Sequence, residues 1–309
     1  MLRLTHAIGA AAATLALTIA AAVPAVAAER PSGQHGSEYY LSLGDSLSVG
    51  DQPNAQGTTL PTNQGYADQL YAVLRHSDRD LRLAKLGCPG ETSGTLVNGG
   101  ICGYAGDQRY SLTADSGTQL AAAVAFLHAH RGSVPLITLD IGANDLNPCL
   151  ALSSIAAIAA CLPPVFAALE QNLGTTLAAL RAAGPHATIV GMTFYDPELA
   201  DWLTGAAGEA FAQGSIPLAT AFNQVLSAVY LQAGVPVADV FTAFDTTDMT
   251  DTVNVPGIGT LPKDVALICR WTWECAPPPV GPNEHANAAG YGVIAAAFLS
   301  TLRDIGYRP

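Results

Sequence analysis

Glu38 to Ser48 read EYYLSLGDSLS, and Pro135 to Asp145 read PLITLDIGAND. Each is an apolar run that meets glycine and then turns polar, the pattern of a strand entering a turn. Pro135 to Gly142 reads as one apolar run apart from Thr138 and Asp140, as expected of a parallel strand buried on both faces. Working outward, Leu81 to Gly87 (LRLAKLG) alternates like a strand, Thr188 to Phe194 (TIVGMTF) is a further buried strand, and Val235 to Phe241 a short one. Helical spacing or alanine-rich composition predicts helices over Gly65–His76, Gly117–His130, Pro164–Ala183, Ala219–Ala233 and Asn287–Leu302. Alternating strands and helices imply right-handed crossovers and a mainly parallel sheet covered on both faces, an α/β architecture. Two Gly/Pro-punctuated stretches, Asp196–Ser215 and Phe244–Pro282, read as long loops on the working face.

The ends and the composition bound the function class. Met1 to Arg3 is a short basic start, Ala7 to Ala22 is apolar, and small residues follow up to Ala28 before Glu29-Arg30. This is the pattern of a secretory signal peptide over residues 1–28, in preference to an uncleaved anchor. A flexible segment is expected over 29–37 and one domain over 38–309. No second apolar run stands out as a membrane span. A net charge of −12 argues against nucleic-acid binding, because phosphate contacts need clustered Lys and Arg, and against tight adhesion to anionic lipid. All six cysteines lie beyond residue 28, an even number that points to disulfides in an exported protein. Their natural connectivity is Cys88–Cys102, Cys149–Cys161 and Cys269–Cys275, with other pairings left open. Their spacing gives no zinc pattern, so neither metal nor cofactor is expected.

In an open parallel sheet, ligands bind outside the carboxyl ends of the strands. Four polar segments should therefore meet: Gly44-Asp45-Ser46-Leu47-Ser48, Gly87-Cys88-Pro89-Gly90-Glu91-Thr92, Gly142-Ala143-Asn144-Asp145 and Pro282-Asn283-Glu284-His285-Ala286-Asn287. Acyl transfer uses these residue types. A serine hydroxyl needs a base to take its proton, and the tetrahedral intermediate needs hydrogen-bond donors at its oxyanion. Among the histidines, His6 leaves with the signal and His35 lies in the polar segment after it. His76, His128, His130 and His186 fall near the opposite rim, which leaves His285. Asp45 reads as a turn and helix-capping residue, Asp145 as the anchor of the Asn144 loop, and Asn287 as the cap of the last helix. Trp271, Trp273 and Tyr195 suit either a substrate pocket or ordinary loop packing.

GDSLS at 44–48, CPGET at 88–92, GAND at 142–145 and HAN at 285–287 resemble the four sequence blocks of the SGNH/GDSL hydrolases. The resemblance implies a flavodoxin-like three-layer α/β/α sandwich. It implies Ser46 as nucleophile, His285 as general base, and an oxyanion hole from the Ser46 and Gly90 N–H groups and the Asn144 amide. One position departs from the pattern. The family writes its last block D-x-x-H, and the residue three before His285 is Pro282. Glu284, a distant acid such as Glu274 or Asp264, or the Pro282 carbonyl could orient the imidazole instead. The carbonyl is preferred here, because the chain is similar to family members that use a main-chain oxygen. The α/β-hydrolase elbow G-x-S-x-G fits poorly, since Ser48 stands where its second glycine should be.

The expected activity is hydrolysis of a carboxylic ester, with a lipid or short-chain ester favoured over an acetylated sugar. The expected protein is an extracellular monomer that neither binds nucleic acid nor inserts stably into a membrane. Two alternatives come from other classes: a non-catalytic cell-wall or glycan-binding protein on the same scaffold, and a flavodoxin-like flavin binder. Retention of Ser46, Gly90, Asn144 and His285 together argues against the first. The few phosphate-cradling groups in the first turn argue against the second.

Overall fold

The computed structural model describes residues 37–104 and 117–308. The expected export signal and all but the last residue of the segment 29–37 lie outside this range, as do His6 and His35. In chain order the strands are β1 (Glu38–Gly44), β2 (Gln52–Pro53), β3 (Thr59–Leu60), β4 (Leu81–Lys85), β5 (Leu136–Asp140), β6 (Thr188–Met192), β7 (Val237–Ala238), β8 (Thr252–Val255) and β9 (Gly259–Pro262). The helices are α1 (Ser46–Val49), α2 (Tyr66–Leu74), α3 (Ser93–Asn98), α4 (Gln119–Ala129), α5 (Asn147–Leu150), α6 (Ile155–Ala183), α7 (Ala206–Gln232), α8 (Val240–Ala243), α9 (Lys263–Trp271) and α10 (Ala288–Asp304).

The central sheet is parallel throughout, in the order β4-β1-β5-β6-β7. Numbered by chain position within this sheet, these are the second, first, third, fourth and fifth strands, which is the flavodoxin-like order. The chain therefore reverses its direction of winding between β1 and β5, and a crevice opens there at their carboxyl ends. The strands are buried on both faces because helices cover both, and β5 has no exposed residue from Leu136 to Asp140. Helix α2 packs on α10, while α6 packs on α3, α4 and α7, to give the α/β/α sandwich. The core is filled by Leu41, Leu43, Ile137, Leu139 and Val190 of the strands against Leu173, Leu177, Tyr230, Tyr291 and Phe298 of the helices.

Three stretches are more regular than expected. Helix α6 starts at Ile155, ahead of Pro163 and Pro164, and α7 starts at Ala206, ahead of Pro217. A proline leaves the carbonyl four residues earlier without its helical partner. Those carbonyls belong to Ala159, Ala160 and Gln213, all exposed, so water can take the lost bonds. The stretch expected as a loop over Asp196–Ser215 is thus a 3₁₀ segment, Pro197–Thr204, followed by the first turns of α7. That over Phe244–Pro282 contains the β8–β9 hairpin and α9. Helix α6 is also long and apolar enough by composition to cross a membrane, a feature the sequence reading did not single out. Its stripe Leu162, Leu169, Leu173, Leu177 and Leu180 is buried in the protein interior. Disulfides join Cys88 to Cys102, Cys149 to Cys161 and Cys269 to Cys275.

Candidate active site

Ser46 is the first residue of α1, directly beyond β1. As the first helical residue its N–H lies outside the helical hydrogen-bond ladder. Asp45 caps the helix, its Oδ1 accepting the Leu47 N–H at 2.9 Å. Gly44 has φ +134°, and a Cβ at this position would collide with the Asp140 carbonyl, so only glycine fits the turn. Gln119, at the start of α4, grips the same residue. Its Oε1 accepts the Gly44 N–H at 2.6 Å, and its Nε2 donates to the Gly44 carbonyl at 2.8 Å and to the Glu91 carboxylate at 3.1 Å. Nothing in the sequence motif signals Gln119; the nearest hint is a polar residue opening an otherwise apolar helix.

The loops after β4 and β5 are tied together. Asp145 accepts the Ser93 N–H at 2.7 Å and the Ser93 hydroxyl at 2.6 Å. Asn144 donates one Nδ2 hydrogen to the Glu91 carbonyl at 3.0 Å, while its Oδ1 accepts from Asn147 at 3.2 Å. An amide nitrogen carries two hydrogens, so a second remains beyond the Glu91 bond. Gly90 stands at φ +77°, with nothing among the described residues within 4 Å of where a Cβ would be. It is exposed and does not line the cavity described below.

His285 arrives from far along the chain and is held mainly through its backbone. Residues 271–273 and 285–287 run antiparallel: the Trp273 N–H donates to the His285 carbonyl at 3.1 Å and the Asn287 N–H to the Trp271 carbonyl at 2.9 Å. The Cys269–Cys275 disulfide spans this strip. Asn287 caps α10, accepting the Ala289 and Gly290 N–H groups. Tyr195, buried behind, donates its hydroxyl to the Glu284 carbonyl at 2.7 Å. Its ring stacks on Phe244 at 4.5 Å, and Phe244 meets Trp271 edge-on at 5.0 Å. Of the three aromatics considered for the pocket, Tyr195 lines the cavity and Trp271 and Trp273 do not.

The orienting group is a correction to the sequence reading. His285 Nδ1 lies 2.9 Å from Oδ1 of Asn283, not in a hydrogen bond to the Pro282 carbonyl. The same Oδ1 accepts the His285 backbone N–H at 3.1 Å, and Asn283 Nδ2 donates to Thr59 Oγ1 at 2.9 Å. The physical reason is local: an Asn side chain reaches the backbone two residues ahead as a turn does, and from there it meets the ring. Glu284 Oε1 lies farther from Nδ1, at 3.9 Å, on a side chain 65% exposed. Neither Asp264 nor Glu274 bonds the imidazole; Asp264 turns to the Val265 N–H instead. Nothing in the sequence motif marked Asn283, although a polar side chain two residues before the histidine is a recognisable signal.

Ser46, Asn144, Pro282 and His285 line one cavity of about 650 Å³. One wall is apolar, built by Leu146, Ile158, Leu162, Phe211, Leu218 and Phe222; the Cys149–Cys161 disulfide lies behind it. The lining also carries Glu198, Asp201, Glu274 and Glu284. Burial holds the His285 pKa below the usual histidine value, with the charge of Glu284 opposing, so the ring is neutral near pH 7. Burial, then the neighbouring carboxylates, pushes Glu198 and Glu274 up to about 7. Beneath Ser46, burial raises Asp45 to about 7 and raises Asp140 well above the carboxylate range, Asp45 adding to the second. His76, His128, His130 and His186 are not among the lining residues. The arrangement can present a hydroxyl, a neutral imidazole and amide donors to an apolar ligand.

Comparison with known proteins agrees with this architecture. The extracellular lipase of Streptomyces rimosus is similar in fold, with a TM-score of 0.54 at 18% identity, covering 85% of this chain and 99% of the lipase. Phospholipase A1 of Streptomyces albidoflavus NA297 gives a TM-score of 0.52 at 19% identity, covering 86% of this chain and 100% of that enzyme. No curated protein sequence matches. The model of the GDSL-like lipase/acylhydrolase family matches residues 42–293, a span that takes in all four blocks. The chain belongs to the GDSL-like lipase/acylhydrolase family of ester hydrolases.

Proposed function

We propose that this protein is a secreted serine esterase of the lipase or carboxylesterase kind, acting through an acyl-Ser46 intermediate. The observation that carries the reading is that Ser46 and His285, 239 residues apart in sequence (285 minus 46), line the same cavity beside an apolar wall. His285 Nε2 takes the Ser46 proton as Oγ attacks the ester carbonyl. The oxyanion is held by the Ser46 N–H and by the second Nδ2 hydrogen of Asn144, both from residues that line the cavity, as Gly90 does not. Collapse expels the alcohol, which leaves with the proton from His285. Water then attacks the acyl-enzyme with the same base, releasing the carboxylic acid and restoring Ser46.

The apolar wall favours an acyl chain longer than acetyl, because an acetyl group would leave most of that surface uncovered. Secretion is supported by the signal pattern over residues 1–28 and by the three disulfides. The test is labelling with a fluorophosphonate probe together with an ester chain-length profile. Wild type should label, Ser46→Ala should not, and turnover should rise from acetyl to longer acyl esters. Labelling that survives Ser46→Ala would remove the nucleophile assignment. A profile peaking at acetyl would point to a carbohydrate esterase.

A further inference from the structure

The hydrogen bonds around Asn283 determine where the proton sits on His285. The His285 backbone N–H can only donate, so the atom 3.1 Å from it must be the amide oxygen of Asn283 rather than its nitrogen. That oxygen can only accept, so Nδ1, 2.9 Å away, must carry the ring proton. The basic lone pair of the neutral ring is then on Nε2. Asn283 is itself held, because its Nδ2 donates to Thr59 Oγ1 at the start of β3.

We infer that Asn283 is a positioning residue, whose neutral side-chain carbonyl, anchored by Thr59, fixes the tautomer and orientation of His285. This rests on the reading of Ser46 and His285 as nucleophile and base. It gives an uncharged amide the place that a carboxylate or a main-chain carbonyl holds in the sequence reading. The amide sets the tautomer as an acid would, but adds no negative charge to stabilise the imidazolium formed during attack. Among the described residues the negative charge beside the ring is Glu284, whose exposure leaves its attraction screened by water.

The expected result on Asn283→Ala is a fall in kcat of about tenfold to a hundredfold with KM unchanged, since ring orientation rather than binding is lost. Asn283→Asp should retain most of the activity and move the acidic limb of the kcat/KM profile upward, because a carboxylate favours the imidazolium. Among the described residues the other ionisable groups lining the cavity are Asp45, Tyr195, Asp196, Glu198, Asp201, Glu274 and Glu284, and all are the same in both proteins. Thr59→Val should fall between wild type and Asn283→Ala. Nitrogen NMR of the imidazole in the wild-type protein, above its pKa, should show the proton on Nδ1; this measurement needs no variant to fold. A wild-type proton on Nε2, or Asn283→Ala with wild-type kcat and pH profile, overturns the inference. Failure of wild type to label with fluorophosphonate would instead remove the Ser46 reading beneath it, so the two failures are distinct.

Discussion

The two residues proposed as nucleophile and base are held in opposite ways. Ser46 sits on a turn whose geometry comes from the sheet: a glycine with no room for a side chain, an aspartate cap and a helix-borne glutamine closing on one strand end. His285 sits on an excursion outside the central sheet. It is fixed by main-chain pairing with residues 271–273, by a disulfide, by a buried tyrosine on the preceding carbonyl, and by the side chain of Asn283. Ser46 is placed by the core and should be lost only with the core. His285 is placed by a small accessory structure that can fail alone.

The largest effect expected from breaking either half is chemical. Ser46→Ala or His285→Ala should each lower kcat by about 10⁴-fold or more, as for other paired nucleophile–base systems, with little change in thermal midpoint. Steady-state kinetics beside a melting curve checks this. If either substitution costs activity only in proportion to lost folded protein, that residue is structural.

Next comes the nucleophile's support. Gln119→Leu strips the buried Gly44 N–H of its partner and the Glu91 carboxylate of a donor, while the Gly44 carbonyl keeps the Cys88 N–H; this should cost about 3 kcal/mol of stability. Activity and denaturant midpoint should fall together. The base's support should behave otherwise. Replacing Cys269 and Cys275 by serine opens a short loop worth about 2 kcal/mol in the chain-entropy view, yet activity should be lost while the protein is still folded. Parallel loss of activity and near-ultraviolet circular dichroism under mild reductant would show the two regions to be one cooperative unit.

The smallest effect sharpens the contrast through pH. Asp45 and Asp140 have pKa values raised by burial, so the folded protein binds more protons than the unfolded chain between the unfolded value near 3.8 and the folded value, about 7 for Asp45. Their contribution to stability is complete below the unfolded pKa and is lost as pH rises through the folded one. The melting temperature should therefore fall between about pH 4 and pH 8. Asp140→Asn keeps an acceptor for the Tyr66 hydroxyl without the ionisable proton. It should raise the pH 8 midpoint by about 3 °C while leaving the acid value unchanged. A melting temperature independent of pH in both proteins would contradict this account of the buried pair.

Much of this was legible in the sequence. The five strands of the central sheet, the order of elements and the N-caps at Asp45 and Asn287 follow from local patterns, because periodicity and capping act within a few residues. The prolines of α6 and α7 misled, since a local rule treats proline as a stop, whereas exposed carbonyls one turn earlier permit the helix to continue. The β8–β9 hairpin and α9 were hidden by the Gly/Pro punctuation around them.

What the sequence by itself determined is the class of architecture, the candidate residues and the family blocks, all properties of short windows of chain. The tertiary structure alone decided which atoms touch: that Gln119 closes on Gly44, that Tyr195 rather than Trp271 or Trp273 faces the cavity, and that Asn283 rather than Pro282 meets the imidazole. The reason is physical. A hydrogen bond depends on a few tenths of an ångström and on the direction of a side chain, and both are fixed by packing between segments that no local pattern relates.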